Sequence, residues 1–315
     1  RQPRLTPGEP LTPGERVRFG PAGAGRTSRD RLVAPIVSMC VADGADGYNT
    51  RMADDDRLER LTRVRREPPP LRPVTVTERV ELTPRMLRLT LGGDGLRELR
   101  VDQPAANIRL LVPTPGTDEL VVPEWNGNEF LLADGSRPAL RTFTPLRVDN
   151  AAGRLDVEIV RHPGGAVSEW AETVRPGDLA AVSGPGTGYD HPVGADRLVV
   201  LADETALPAA IQVAEAAPDE LRVDLHLEVL TDDARRSIVL AERHTVDWHV
   251  TEPGADPGGR LVAALRSLGQ LDDGTFVWAA GEAAAMQAIR THLFDTLGLS
   301  RRRAVVRGYW KPARG

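Results

Sequence analysis

Arg141-Thr142-Phe143-Thr144-Pro145 ends an alternating segment that begins near Ala139, and its reading decides the fold. In a strand, successive side chains point to opposite faces, so Arg141 and Phe143 share one side. A guanidinium offers planar paired donors that match two phosphate oxygens at once. An aromatic ring offers a flat apolar surface on which another π-system can lie. Thr142 lies between the two, and Thr144 adds a hydroxyl at the strand end. Pro145 keeps the chain extended and removes a ladder donor, so pairing is expected to stop there. A flat heterocycle tethered to phosphate, a flavin nucleotide, suits this set. Any half-buried strand can alternate Arg, Phe and Thr, so the reading needs a companion.

The companion follows a second alternating run, Leu155 to Arg161. It is His162-Pro163-Gly164-Gly165-Ala166-Val167-Ser168-Glu169-Trp170-Ala171. Paired glycines allow backbone to approach a ligand closely. A short helix from about Val167 directs free N–H groups toward an anion.

Outward from these motifs, short strand-like runs recur. They are Val74 to Arg79, Met86 to Leu91, Asn107 to Val112, Ala139 to Phe143, Leu155 to Arg161 and Asp178 to Ser183. Gly, Pro and Asp separate them, which predicts a small antiparallel barrel over residues 71–190. Pro123 to Gly135 reads as a long hairpin or loop at one barrel mouth. Gly184-Pro185-Gly186-Thr187-Gly188-Tyr189 imitates a dinucleotide fingerprint, but no helical pattern follows it. It is expected to be the turn into a second domain.

From Asp196 the pattern alternates between strand and helix. Strands are predicted at Leu198 to Leu201, Val223 to Val229, Thr245 to Val250, Phe276 to Ala279 and Ala304 to Val306. Helices are predicted at Pro208 to Ala217, Leu261 to Leu268 and Ala283 to Leu297. This order implies a parallel sheet covered on both faces over residues 191–315. Such sheets bind ligands at the carboxyl ends of their strands. Those ends carry Asp203-Glu204-Thr205-Ala206-Leu207-Pro208 and Ala280-Gly281-Glu282. Asp203 and Thr205 are also ordinary helix starters, and their acidity weighs against a bare phosphate there. A nicotinamide dinucleotide is compatible with this edge.

Residues 1–70 are expected to be a leader without structure, rich in Gly, Pro, Arg and Asp. Met52 opens a second possible start, so residues 1–51 are read as upstream sequence from an early start. The net charge of -5 does not suggest nucleic-acid binding. Cys40 is the single cysteine, which excludes an internal disulfide and a cysteine-held iron–sulfur cluster. The histidines are scattered, and no metal site is expected. No apolar run reaches the ~20 residues of a membrane span. A cytoplasmic monomer is expected.

Several further stretches carry a resemblance. They are Leu82-Thr83-Pro84-Arg85-Met86, Gly164-Gly165-Ala166-Val167-Ser168-Glu169-Trp170-Ala171, Asp203-Glu204-Thr205-Ala206-Leu207-Pro208, Trp278-Ala279-Ala280-Gly281-Glu282 and Gly308-Tyr309-Trp310-Lys311. With the barrel and sheet in this order, residues 71–313 resemble the siderophore-interacting proteins, ferredoxin-reductase-like flavoproteins that reduce ferric siderophores with FAD. The resemblance implies that Arg141 holds FAD phosphate, Phe143 packs on the isoalloxazine and Thr144 bonds near its reactive edge, with Thr142 in the same motif. It implies that His162, Gly165, Ala166, Ser168 and Trp170 line the rest of FAD. Thr205, Gly281 and Glu282 would face a nicotinamide donor. Arg109 and Lys311 would meet an anionic ferric siderophore. The family usually has Tyr where Phe143 stands, and Gly where Ala202 precedes Asp-Glu-Thr.

The expected activity is reduction of ferric siderophores, releasing Fe(II). A general NAD(P)H:flavin or quinone-type reductase, and a protein that binds the ferric siderophore without turnover, are the alternatives. The donor stays open among NADH, NADPH and a ferredoxin. Glu228 would suit a ribose diol and hence NADH, whereas Arg235 and Arg236 would suit the 2′-phosphate of NADPH.

Overall fold

The computed structural model describes residues 10–18, 26–28, 70–117, 119–127 and 129–312. The chain opens with β1 (Arg16–Arg18) and β2 (Arg26–Ser28), followed by β3 (Arg72–Thr83), β4 (Met86–Gly92), β5 (Asn107–Leu111) and β6 (Glu119–Val121). A small hairpin, β7 (Glu124–Trp125) and β8 (Phe130–Leu131), precedes β9 (Leu140–Phe143), β10 (Leu146–Asp149) and β11 (Arg154–Val160). Helix α1 (Ala166–Thr173) then leads into β12 (Leu179–Gly186).

Seven of these strands form one antiparallel sheet, in the order β10-β11-β4-β3-β12-β5-β9. Its two edge strands, β9 and β10, are joined by Thr144 and Pro145 alone. A two-residue link between opposite edges requires the sheet to roll into a barrel. Leu87, Leu89 and Leu91 of β4 point inward with Leu155, Val157 and Ile159 of β11. Pro145 does end pairing with β5, as its missing donor dictates. The chain nevertheless continues as β10, which pairs with β11.

The second unit contains β13 (Arg197–Asp203), α2 (Leu207–Glu215), β14 (Arg222–Val229), β15 (Thr245–Val250), α3 (Gly259–Ser267), β16 (Thr275–Glu282), α4 (Ala283–Thr291) and β17 (Ala304–Trp310). Its strands form a parallel sheet in the order β15-β14-β13-β16-β17. Central β13 shows why its sequence is continuously apolar. Leu198, Val200 and Ala202 pack toward α2 on one face. Val199 and Leu201 pack toward α3 and α4 on the other. The strand order reverses between β13 and β16, so a crevice opens at their carboxyl ends.

The barrel and sheet units share a core. Met86, Ala105 and Tyr189 from the barrel side are buried in the cluster formed by β13 and α2. Polar ties reinforce this contact. Arg85 Nε lies 2.9 Å from both Glu204 carboxylate oxygens. Gln212 of α2 accepts from Ala105 N–H at 3.1 Å and donates to the Pro145 carbonyl at 2.8 Å. Arg236 reaches back to Glu158 at 2.9 Å.

Three sequence expectations change. Part of the expected leader is built into the fold, because β1 pairs with both β2 and β6. Leu11 and Val17 are buried with Leu71, Leu111, Leu120, Val122 and Ala181. Residues 1–9, 19–25 and 29–69, with Cys40 and Met52, lie outside the described residues. Gly184 and Gly186 end β12 rather than forming the turn between units. A Cβ on Gly186 would come within 2.6 Å of the Asn107 side chain, so packing accounts for that glycine. Finally, α4 stops at Thr291 and passes into a wider turn, His292–Thr296.

Candidate functional site

A cleft of about 730 Å³ lies between the barrel mouth and the sheet unit. Strand β9 brings Arg141 and Phe143 to its rim, as the two-residue period requires. Among the described residues, the Arg141 guanidinium donates only to the neighbouring Leu140 carbonyl at 2.9 Å, and Arg141 is exposed. Phe143 is half-buried against the barrel core, which fixes one ring face and leaves the other toward the cleft. Thr142 and Thr144 also line it, with Thr144 nearly buried.

The opposite rim is the turn entering α1. The Ser168 hydroxyl accepts from His162 N–H at 2.8 Å, and Gly164 N–H donates to Glu169 at 2.9 Å. These bonds fold the His162–Gly165 turn tightly onto the helix. A Cβ on Gly165 would come within 2.2 Å of the His162 ring, so any other residue here must push that exposed ring aside. Among the described residues, no side chain caps the N-terminus of α1. The residues of this helix start, Gly165, Ala166, Val167 and Ser168, line the cleft with His162.

Trp170 does not join this set. It lines a second depression with Pro113, Thr114 and Thr173, which shares Ala166 with the cleft. Its indole packs on the barrel core, so burial rather than the cleft accounts for it.

The sheet unit supplies the far wall through Thr205, Pro208, Arg290 and residues Val306 to Trp310. Gly308-Tyr309-Trp310 was visible as a motif. Arg290 left no sequence signal, being one basic residue on an amphipathic helix. Glu158 was also missed. It is an acid on the cleft lining, held between Arg88 at 2.6 Å and Arg236 at 2.9 Å.

Gly281 and Glu282 lie beneath the wall. The Asp203 carboxylate accepts from Thr205 N–H and Oγ1, Ala206 N–H, Glu282 N–H and Trp310 Nε1. Burial pushes the Asp203 carboxyl above the usual carboxylate range, against the pull of those donors. A Cβ on Gly281 would come within 2.6 Å of Asp203, so Gly281 makes room for that carboxylate. Glu282 caps α4 by accepting from Ala285 N–H at 2.8 Å.

The donor-selecting residues read from sequence have other partners. Glu228 is buried and accepts from Thr251, Gly258, Arg260 and Leu261 at the start of α3. Its carboxylate caps a helix and is not free for a ribose. Arg236 pairs with Glu158, and Arg235 with Asp232. Arg109 and Lys311 do not line the cleft. Arg109 lies opposite Thr142 in the ladder, with its guanidinium over the Phe130 ring at 5.5 Å. Lys311 is exposed just beyond β17.

Comparison with known proteins agrees with this architecture. The description "Siderophore-interacting FAD-binding domain" matches residues 75–189, and "Siderophore-interacting protein" matches residues 195–313. A siderophore utilization protein from T. fusca is 36% identical, with a TM-score of 0.68, over 79% of this chain and 95% of that one. The ferric vibriobactin reductase ViuB of Vibrio cholerae is 25% identical over 231 residues, 72% of this chain and 84% of that protein. The mycobactin import ATP-binding/permease protein IrtA of Mycolicibacterium thermoresistibile is 33% identical over 220 residues, 66% of this chain. The match spans only 23% of IrtA. This chain belongs to the siderophore-interacting protein family, and its barrel followed by a five-stranded parallel sheet is the ferredoxin-reductase-like fold. Among the described residues, no helix is long and apolar enough to cross a membrane.

FAD fits the residues present. Arg141 and the α1 amides offer two separate seats for phosphate, and Phe143 offers a ring-sized apolar face between them.

Proposed function

We propose that this protein uses FAD to reduce ferric siderophores, releasing the iron as Fe(II) in the cytoplasm. The observation that carries this reading is the cleft where Arg141, Phe143 and Thr144 face the uncapped start of α1. The best support beyond geometry is the likeness to ViuB, named as a ferric vibriobactin reductase.

Bound FAD supplies the exchange between a two-electron donor and one-electron ferric acceptors. The chain's part is to bind and position. Arg141 meets phosphate with a fork that pairs with no acid among the described residues. Phe143 sets the plane of the heterocycle and keeps the ring of the usual Tyr without its hydroxyl. Thr144 offers a hydroxyl at the ring edge, and Ser168 fixes the His162 turn over the helix start. No bond of the chelator has to break for an electron to enter the iron. Loss of hard-ligand affinity on reduction then frees the metal. NADH or NADPH is the donor in this reading, and Arg109 with exposed Lys311 would steer anionic chelates toward the cleft mouth.

The test is anaerobic. FAD-loaded protein is reduced, a ferric siderophore is added, and the flavin absorbance is followed with a ferrous chelator present. Rapid reoxidation with stoichiometric Fe(II) capture is expected. A flavin that stays reduced with several siderophores, yet reoxidises with a small quinone, would overturn the assignment in favour of a general reductase.

A further inference from the structure

Parallel sheets of this kind ordinarily meet the pyrophosphate of a dinucleotide with the free amides of a helix N-terminus. Among the described residues, the protein's own carboxylates lie at or just before the three helix starts of the carboxyl edge and take amides there. Asp203 takes the amides of Thr205 and Ala206 before α2, and also Glu282 N–H before α4. Glu282 takes Ala285 N–H within α4. Glu228 takes Gly258, Arg260 and Leu261 at α3. A phosphate seated there would have to compete with those carboxylates for the same amide donors. The usual seat does not fit a dinucleotide.

The cleft wall offers the opposite environment. Arg290 of α4 and Arg307 of β17 both line it. Each donates to a backbone carbonyl, Val306 and Gly188 respectively. Among the described residues, neither forms an ion pair with a carboxylate. Glu158, the acid on the lining, is already paired with Arg88 and Arg236. Arg141 lies on the barrel side, where the proposed function gives it to FAD phosphate. That leaves the two guanidiniums of the sheet side with undirected positive charge, in a partly enclosed space beside Tyr309 and Trp310.

We infer that the phosphates of a pyridine-nucleotide donor are held by Arg290 and Arg307 on the cleft wall, and not by the helix starts of the sheet. This rests on the reductase reading above, and adds where the donor is gripped. Two guanidiniums match a pyrophosphate through charge-assisted bonds. A donor held there is anchored on the wall that faces the flavin seat. The self-capped helices explain why Glu228, Gly281 and Glu282 are buried rather than open to a ligand.

The experiment titrates oxidised, FAD-loaded protein with ADP-ribose, which carries the pyrophosphate and cannot reduce the flavin. Calorimetry reads binding without turnover. Saturable binding is expected in the natural protein, weakened at least tenfold by Arg290→Gln and by Arg307→Gln, and partly restored by Lys at either position. FAD content and melting temperature of each variant, measured in parallel, show whether the fold persists. The Lys variants keep the test decisive if a Gln variant does not fold. Unchanged ADP-ribose affinity in the Arg290→Gln/Arg307→Gln double variant would overturn the inference, as would absence of ADP-ribose binding to FAD-loaded natural protein. A weaker ferric-siderophore interaction with unaltered ADP-ribose binding would also overturn it, and give both guanidiniums to the chelate. Failure of the reductase reading has a separate signature, protein that takes up no FAD or leaves iron ferric.

Discussion

Glu228→Gln separates a helix cap from a ribose ligand with one atom's change. The carboxylate accepts at both oxygens, from Thr251 and Gly258 at 2.8 Å and from Arg260 and Leu261 at 3.1 Å. An amide of the same shape must turn its NH₂ toward two of those donors. Hydrogen bonds to a charged group contribute about 1.5–3 kcal/mol each. The favourable placement of negative charge at a helix start adds up to about 2 kcal/mol in buried geometry. Relaxation of the Thr251 hydroxyl recovers part of this, so a net loss of about 3 kcal/mol is expected. For a unit of this size each kcal/mol lowers the melting temperature by about 2–4 °C, giving a fall of about 6–12 °C. Differential scanning calorimetry at constant FAD concentration measures it. Donor affinity of the folded variant should stay within about twofold, a change below 0.5 kcal/mol. An unaltered melting temperature together with weaker NADH binding would refute the capping argument and restore Glu228 as a donor ligand.

Arg85→Ala should cost about 2 kcal/mol, because it strands the nearly buried Glu204 carboxylate, although Arg85 itself is a quarter exposed. Denaturant unfolding checks the cost, and a change below the ~0.5 kcal/mol typical of surface sites would mean the pair does not hold the units together. Gly165→Ala must displace the His162 ring, whose Cε1 lies 2.2 Å from the new methyl position. FAD affinity should fall about tenfold or more with little loss of fold, and flavin fluorescence titration giving natural affinity would contradict the packing of this turn. Burial holds His226 and His249 below their ordinary value, and the nearby His249 adds repulsion for His226. Below about pH 6.5 the unfolded chain takes up protons that the folded chain refuses, so stability should fall with acid from there downward. Replacing His226 with Asn should flatten that slope in melting curves recorded from pH 7.5 to 5; an unchanged slope would exclude the pair as its source.

The strand pattern of the barrel was legible because half-buried strands alternate, and that of the sheet because doubly covered strands are continuously apolar. Arg141 and Phe143 were legible for the same reason: a period of two fixes their common side. The N-terminal strand was not, since Arg16-Val17-Arg18 is too short for any period and its partners at residues 119–121 are far along the chain. Glu228 misled because a carboxylate near a strand end suits a ribose and a helix cap equally, and only the approach of Gly258 decides between them. Trp170 packs on the barrel core rather than lining the cleft, a docking that helix periodicity alone does not reveal. Arg290 had no local signal, as its position depends on how α4 docks against β17.

The link Thr144-Pro145 closes the barrel at its ligand seat. A sheet whose outermost strands are consecutive in sequence has a seam, and here the seam carries the proposed flavin contacts on one side and the grip of Gln212 on the Pro145 carbonyl on the other. Any molecule resting on Arg141, Phe143 and Thr144 therefore works as a clasp on that seam. Occupancy and closure are thermodynamically linked, so a ligand that requires the closed form protects it in proportion to the logarithm of its concentration. Seen this way, the barrel has one place where it can be unzipped without breaking a strand pair in its middle, and that place is where the cofactor would sit.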